Sequence, residues 1–377
     1  MQMAEKRKIK VGVIFGGRSG EHEVSLRSAR SVLSALDPAK YAVMQIGITH
    51  EGTWLVGERV LDWMSQEKPQ KEGMKGTILP DPAHPGLFSL DESSGKIILE
   101  PLGELDVVFP VLHGTLGEDG TIQGLFEMAG IAYVGAGVLG SSVGMDKGVF
   151  RDVMRSRQIP VVETLALLRS EIEESLEQVI NQAESLAPYP LFTKPANLGS
   201  SVGVTKCNNR SDLMEGLLEA ARYDRRILVE RGVPAREIEV SVLGNENPVA
   251  SIPGEIRPSA DFYTYEAKYY DNRSELLVPA PIPFETSQQV REYALRAYRA
   301  IDCAGMARVD FLLDKDSGEI YLSELNTIPG FTEISMYPKL WEASGLPYPE
   351  LVDRLIQLAL DRKIERDRTE RRYQRLI

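Results

Sequence analysis

From its first residues the chain alternates between short apolar runs and longer stretches in which apolar residues recur every three or four positions. IKVGVIFGG (9–17) is a β-branched run closed by two glycines, and EVSLRSARSVLSAL follows with apolar residues at 24, 26, 29, 32 and 33. This predicts a strand, a glycine loop and a helix. YAVMQIGI (41–48), ELDVVFPVLHG (104–114) and IAYVGAG (131–137) read as further strands, with a short helix over GTIQGLFEMAG (120–130). Strand–helix alternation of this kind indicates an α/β domain with parallel strands. Residues 57–100, broken by KPQKEGMKG and LPDPAHPG, read as a loop-rich excursion.

From about 140 a second α/β segment is predicted: a helix over DKGVFRDVMRSRQ, a strand PLFTKPA, a loop NLGSSVG, a helix over 211–222 and a strand RILVER. Several strands follow from about 233 (EIEVSVLG, PVASIPGEI, ELLVPAP), then the helix ETSQQVREYALRAYRAI. A hairpin comes next, RVDFLLDKDSGEIYLSELNTIPG (308–330), and a C-terminal helix ends in mixed charge.

The hairpin carries polar residues where strands are otherwise apolar. Residues two apart share a face, so Arg308 pairs with Asp310, and Glu324 with Asn326. A turn centred on Ser317 sets Asp310 opposite Glu324 and Arg308 opposite Asn326, leaving Val309, Phe311 and Leu313 against Tyr321, Ser323 and Leu325. Carboxylates directly across a ladder repel. Either Arg308 neutralises one of them and solvent screens the other, or a cation lies between them. Carboxylates and an amide carbonyl are oxygen donors suited to Mg²⁺, which completes its shell with water and substrate phosphates. That second reading asks for a nucleotide.

Composition narrows the classes. At 43% hydrophobic and 26% charged, the 377 residues are those of a globular protein with room for two or three cores. A formal charge of −12 argues against non-specific binding of nucleic acid or anionic membranes. Two cysteines make no disulfide framework, the N-terminal apolar run is too short for a signal segment, and no window reaches a membrane span, so a cytoplasmic setting is expected. The four histidines form neither HExxH nor a zinc-type spacing.

Two glycine-rich loops are phosphate candidates. GAGVLG (135–140) fits GxGxxG, but the acidic residue a dinucleotide site wants about 20 residues on would be Glu163, which lies just after a proline. KPANLGSSVGV (194–204) places Lys194 at a strand end before a loop rich in backbone N–H and hydroxyl donors, and reads either as a phosphate cover or as an ordinary turn. Glu230 closes the run ILVER, Glu237 follows, and Lys268 sits among aromatics in FYTYEAKYYD.

Taken in order, GGRSGEHEVSLRSA, VLHGTLGEDGTIQGLFE, VGMDK, KPANLGSSVGV, YEAKY, RVDF and ELNTIPGFTEISMYP resemble the ATP-grasp ligases, and among them the D-alanine–D-alanine ligases, over nearly the whole chain. The excursion at 57–100, the charged C-terminal extension and Gly232, where relatives often carry an aromatic, depart from the pattern.

The resemblance implies a three-domain ATP-grasp architecture: an N-terminal α/β domain over 1–138, a central subdomain over 139–231 and a C-terminal domain over 232–377. It implies an enzyme of peptidoglycan precursor synthesis that uses ATP and two Mg²⁺ ions (Mn²⁺ as an alternative) to join two D-alanines through an acyl phosphate. By motif position Lys147, Lys194, Ser200, Ser201 and Lys268 would hold the ATP phosphates. Glu230 and Glu237 would take adenine and ribose, and Asp310, Glu324 and Asn326 the metal. Arg308 and the backbone N–H of Gly330 would stabilise the tetrahedral oxyanion. Glu21 would pair with the first ammonium and join Ser200 and Tyr269 in a hydrogen-bonded set, with His113 near the first carboxylate. Ser335 and Met336 would bind the second carboxylate, and Tyr269 favours a dipeptide over an ester. A homodimer is the family's expectation. The alternatives are another carboxylate–amine ligase of the same fold, distinguished at Glu21, His113 and Ser335, and a dinucleotide oxidoreductase using GAGVLG.

Overall fold

The computed structural model describes residues 7–66, 73–199, 202–257 and 275–371. Its N-terminal part holds strands β1 (Ile9–Gly16), β2 (Tyr41–Ile48), β3 (Trp54–Gly57), β4 (Met74–Ile78), β5 (Leu87–Asp91), β6 (Ile98–Gly103), β7 (Val107–Pro110) and β8 (Ala132–Tyr133). Between them lie helices α1 (His22–Ala35), α2 (Val60–Met64) and α3 (Thr121–Ala129). The strands form one eight-stranded sheet in the order β6-β5-β4-β3-β2-β1-β7-β8. The half around β1 is parallel, as the strand–helix alternation predicts. The other half corrects the expectation of a loop-rich excursion: β3 to β6 make an antiparallel meander continuing the sheet from β2. Its prolines and glycines are the turns between short strands. β6 is an exposed edge, so it lacks the apolar alternation that marks a strand.

The middle of the chain holds α4 (Val138–Met145), α5 (Lys147–Ser156), β9 (Thr164–Leu168), α6 (Arg169–Leu186), β10 (Leu191–Pro195), β11 (Thr205–Cys207), α7 (Arg210–Tyr223) and β12 (Arg226–Arg231). Its strands pair in the order β11-β10-β12-β9, antiparallel throughout. Asp146 caps α5 by accepting from Val149 N at 3.0 Å, which fixes where Lys147 leaves the chain.

The last part holds β13 (Ala235–Gly244), β14 (Val249–Ala250), β15 (Gly254–Arg257), β16 (Glu275–Leu277), α8 (Phe284–Ala300), β17 (Gly305–Asp314), β18 (Ile320–Asn326), α9 (Met336–Ala343) and α10 (Tyr348–Asp367). Its sheet runs β16-β15-β13-β17-β18, with β14 on β13. Among the described residues no helix is long and apolar enough to cross a membrane.

The hydrophobic cores cross these divisions. Phe331, Tyr337, Trp341 and the apolar face of α10 pack into one cluster with Val11, Phe15 and Phe109 of the first sheet. Phe150 and Met154 of α5 join Val240, Val309 and Leu322 under the third sheet. The middle sheet has a core of its own, from Leu167 to Val229.

At the hairpin the register is as read at the polar end: Arg308 faces Asn326 and Asp310 faces Glu324. Beyond that pair it shifts by one at a bulge, so Phe311 faces Leu322 and Leu313 faces Ile320. The apolar face is therefore Ile320, Leu322 and Leu325, all buried, rather than Tyr321, Ser323 and Leu325. The reason is burial. Strict alternation cannot put both Leu322 and Leu325 into the core, and one extra residue, Ser323, lets it.

Candidate functional site

The three sheets meet around a cleft of about 1620 Å³. That exceeds the roughly 300–1,000 Å³ of a site for one small ligand, so there is room for a nucleotide and further substrates together. Every sequence-predicted site residue among the described ones lines it, from Glu21 and His113 of the first part to Ser335 and Met336 of the last. Ser200, Ser201, Lys268 and Tyr269 lie outside the described residues.

On the third sheet, alternation along β13, β17 and β18 buries Ile238, Val240, Val309 and Leu325 and turns polar groups toward the cleft. Glu239 lies opposite Asp310, and Asp310 opposite Glu324, so three carboxylates form a row across three adjacent strands. Arg308 binds Asp310 in a fork, Nε to Oδ1 at 2.8 Å and Nη2 to Oδ2 at 2.6 Å, and its Nε lies 3.1 Å from Glu239 Oε2. Burial works against its charge, but Asp310, Glu239 and Glu324 outweigh that and hold the guanidinium firmly protonated. Arg308 thus does what the first reading of the hairpin asked, neutralising one carboxylate of the pair. Asn326 Nδ2 donates to Asp310 Oδ2 at 3.0 Å and to Glu324 Oε1 at 3.4 Å. Lys147 Nζ is 3.5 Å from Glu324 Oε2 and donates to Leu198 O at 2.9 Å. A row of three carboxylates is an oxygen donor set that fits a hard divalent cation, and a turn of the Asn326 amide would add its carbonyl oxygen.

On the middle sheet, Glu230 of β12 stands opposite Phe192, two residues from Lys194 on β10, so Lys194 and Glu230 are diagonal neighbours. Lys194 Nζ lies 2.5 Å from Glu230 Oε2. Arg151 of α5, 1% exposed, reaches Glu230 Oε1 from the other side through Nε at 2.9 Å and Nη2 at 2.6 Å. Burial would raise the Glu230 carboxyl, but Arg151 and Lys194 prevail and hold it at about 2. Burial takes the Lys194 ammonium down to about 8 against the pull of Glu230. Arg151 Nη1 also donates to Leu322 O at 3.1 Å and Ser323 O at 2.5 Å, the two carbonyls at the bulge. Glu237 of β13 also lines the cleft. Gly232 donates its N–H to Pro190 O at 2.9 Å, and a Cβ there would come within 2.6 Å of that oxygen, so this position has no room for an aromatic.

At the other end, loops from the first and last parts interlock. His113 is buried; Nδ1 donates to Ile328 O at 2.9 Å, which leaves Nε2 to accept from Ser28 Oγ at 2.9 Å. Burial lowers its pKa, with Glu21 opposing and Arg308 reinforcing. Glu118 accepts from Gly114 N at 2.7 Å and Ile328 N at 3.1 Å. Burial and the nearby Glu21 push it up to about 8, and the two backbone donors oppose them. Phe331 N donates to Ser28 Oγ at 3.4 Å, and Tyr348 Oη donates to Phe331 O at 2.8 Å. Gly330 therefore lies between two anchored residues, Ile328 two positions before it and Phe331 directly after it. Ser335 is the N-cap residue just before α9; its Oγ accepts from Thr332 N at 3.1 Å and lies 2.7 Å from Thr332 Oγ1. Glu21 fits between two glycines: a Cβ at Gly114, where φ is +76°, would lie 2.6 Å from Glu21 Oε2, and one at Gly199 2.9 Å.

Sequence reading missed Arg151, Glu239 and Glu118. Glu239 had a signal, since strict alternation in EIEVSVLG puts it on the face of Glu237. Glu118 lies inside a quoted motif, but nothing local marks it as buried. Arg151 looks like any charged residue on an amphipathic helix. The GAGVLG loop serves packing: a Cβ at Gly140 would sit 3.1 Å from Asp302 O, and one at Gly305 3.0 Å from Gly135 N. Glu163, the acidic partner a dinucleotide would need, is engaged by Arg231 at 2.6 Å.

Family models described as the N-terminus and the C-terminus of D-ala D-ala ligase match residues 10–136 and 153–357. The chain is 51% identical over 358 residues to a D-alanine–D-alanine ligase of Heliobacterium modesticaldum, covering 95% of this chain and 96% of that one. It is 49% identical over 362 residues to one from Thermoanaerobacter sp., covering 96% and 99%. Among solved structures it is similar to the D-alanine-D-alanine ligase from Coxiella burnetii (TM-score 0.80, 36% identity, 97% of each chain). It is also similar to the VanG D-Ala:D-Ser ligase from Enterococcus faecalis (TM-score 0.81, 35% identity, 94% of this chain and all of that one).

Proposed function

The chain belongs to the D-alanine–D-alanine ligase family, and from that premise we propose how its cleft carries out the ligation. It is an ATP-dependent ligase that joins two D-alanines into the dipeptide used in peptidoglycan precursors. The carboxylate of the first D-alanine attacks the γ-phosphorus and ADP leaves, giving an acyl phosphate. The amine of the second attacks that carbonyl carbon, losing a proton, and phosphate departs.

Each step asks something of the residues present. Phosphoryl transfer onto a carboxylate gathers anions, so cations are needed where they meet. Lys147 and Lys194 face the cleft from two sides and would hold phosphates, with Ser200, Ser201 and Lys268. Asp310, Glu324 and Asn326 would hold Mg²⁺, two ions with Mn²⁺ as an alternative; when bound, the metal neutralises phosphate charge. Holding it would turn the Asn326 carbonyl inward. Glu230 and Glu237 would take adenine and ribose, and Glu230 is kept anionic for that task by Arg151 and Lys194.

Glu21 would accept the first ammonium and join Ser200 and Tyr269 across the substrate. His113 would stand beside the first carboxylate in the tautomer fixed by Ile328 O and Ser28. Arg308, permanently charged, and the N–H of Gly330 would meet the tetrahedral oxyanion. Ser335 and the N–H of Met336, at the start of α9, would bind the second carboxylate, where a helix N-terminus favours an anion. The three-part division at 138 and 231, a cytoplasmic setting and a homodimer complete the proposal.

What supports this reading most is that residues chosen from separate motifs, spread over three sheets, line one cleft. The test is to incubate the protein with ATP, MgCl₂ and D-alanine, D-serine or D-lactate and to quantify phosphate and product. D-alanine-dependent phosphate release with D-alanyl-D-alanine as the main product is expected. Phosphate release indifferent to D-alanine would overturn it.

A further inference from the structure

Two of the four histidines, 28 positions apart in sequence, stack against each other at the N-terminal end of α1, next to Glu21 of the cleft but outside its lining. His22 opens α1 and His50 lies in the turn between β2 and β3. Their ring centroids are 3.8 Å apart with planes inclined by 23°. Glu23 completes the group: its Oε1 is 3.9 Å from His50 Nε2, and one donor atom from each of the three residues lies within 4.8 Å of the others.

The buried member is oriented as a metal ligand would be. His22 Nδ1 lies 2.9 Å from Gly17 O, and a carbonyl can only accept, so Nδ1 carries the proton and Nε2 the lone pair. Fixing the tautomer through the other ring nitrogen is how proteins orient ligating histidines. The ring's seat is built for it: a Cβ at Gly16 would lie 3.1 Å from His22 Cε1 and 2.2 Å from Ile48 O, so only glycine fits beneath it. His50 and Glu23 are exposed (61% and 62%). Donors around tetrahedral zinc stand about 3.3 Å apart, from bonds of about 2.0–2.1 Å, and an imidazole lone pair lies in its ring plane, so closing the group takes rotation of the exposed His50 ring off the stack as well as a contraction of an ångström or so.

We propose that His22, His50 and Glu23 form a surface site for a borderline divalent transition ion such as Zn²⁺, Ni²⁺ or Cu²⁺, separate from the oxygen-donor site of the cleft. Imidazole nitrogens select such ions over Mg²⁺. An ion there ties the first turn of α1 to the β2–β3 turn.

The test uses the untagged full chain in excess MgCl₂, titrated with ZnCl₂ by calorimetry, beside His50→Asn and Glu23→Gln. Unchanged melting of the metal-free variants checks that they fold. Wild type should bind one Zn²⁺ per chain, His50→Asn should bind it at least about 10-fold more weakly, and Cu²⁺ should show nitrogen hyperfine splitting that His50→Asn diminishes. Equal Zn²⁺ affinity in wild type and His50→Asn, or a Cu²⁺ spectrum of oxygen ligands alone, would overturn the proposal.

Discussion

Arg308 sits between Asp310 and Glu239, so its guanidinium is positioned before substrate arrives. Replacing it with Ala should lower kcat with little change in the ATP KM, by about 2–4 kcal/mol of transition-state stabilisation; steady-state kinetics would show the loss, and retained turnover would remove Arg308 from the oxyanion role. Lys194 makes a pH prediction. With its pKa lowered to about 8 by burial, the charge that would meet phosphate is present below that pH and lost above it. The kcat/KM for ATP should therefore fall above about pH 8, and Lys194→Arg should carry that limb upward, since Arg stays charged. A limb unmoved by the substitution belongs to another group, Glu118 first, which titrates near the same value. Gly199→Ala would bring a Cβ to within 2.9 Å of Glu21 Oε2 and should raise the D-alanine KM more than the ATP KM. Isotherms for the two substrates would separate these effects. At this scale the sequence was legible where polar residues interrupt an apolar strand, as at Asp310, Glu324 and Asn326, although Glu239 carries the same signal and was passed over. It was silent where a residue's importance comes from distant partners, as with Arg151 and Glu118.

The element that organises the site is the β17–β18 hairpin with its bulge. Alternation puts Asp310 on the face of Arg308 and Glu324 on that of Asn326, and centring the turn on Ser317 gives the pairing of Asp310 with Glu324. The bulge could have been suspected from Leu322 and Leu325, both apolar and three apart, which regular pleating cannot bury together. Without it Leu322 would face the cleft in place of Ser323. Arg151 holds the bulge by binding both its carbonyls while also gripping Glu230, so it couples β18 of the third sheet to β12 of the second. Arg151→Met should leave Glu230 buried with one cation fewer and two carbonyls without their donor. A cost of about 3–5 kcal/mol is expected for breaking such a pair. Denaturant unfolding would measure it, and a loss under about 1 kcal/mol would show that solvent replaces the arginine. The meander β4–β6 was the element least legible in sequence, because an exposed edge needs no apolar face to betray it.

Across the whole molecule, the fold brings together anions and cations that no single part could hold alone. The row of Glu239, Asp310 and Glu324 comes from one sheet, Lys194 from another, and Glu21 from the loop after β1. Shared cores keep these parts in place: α10 packs under the first sheet and α5 under the third. The motifs were legible in their order along the chain, whereas the sharing of cores depends on contacts hundreds of residues apart that local pattern does not encode. Titrating Mg²⁺ in the D-alanine-dependent phosphate-release assay, with wild type and Glu324→Gln side by side, tests the central claim most directly. Glu324→Gln should need at least about 10-fold more Mg²⁺ for half-maximal rate, by analogy with other losses at metal sites, while melting within a few degrees of wild type. A variant with the wild-type Mg²⁺ response would contradict the account.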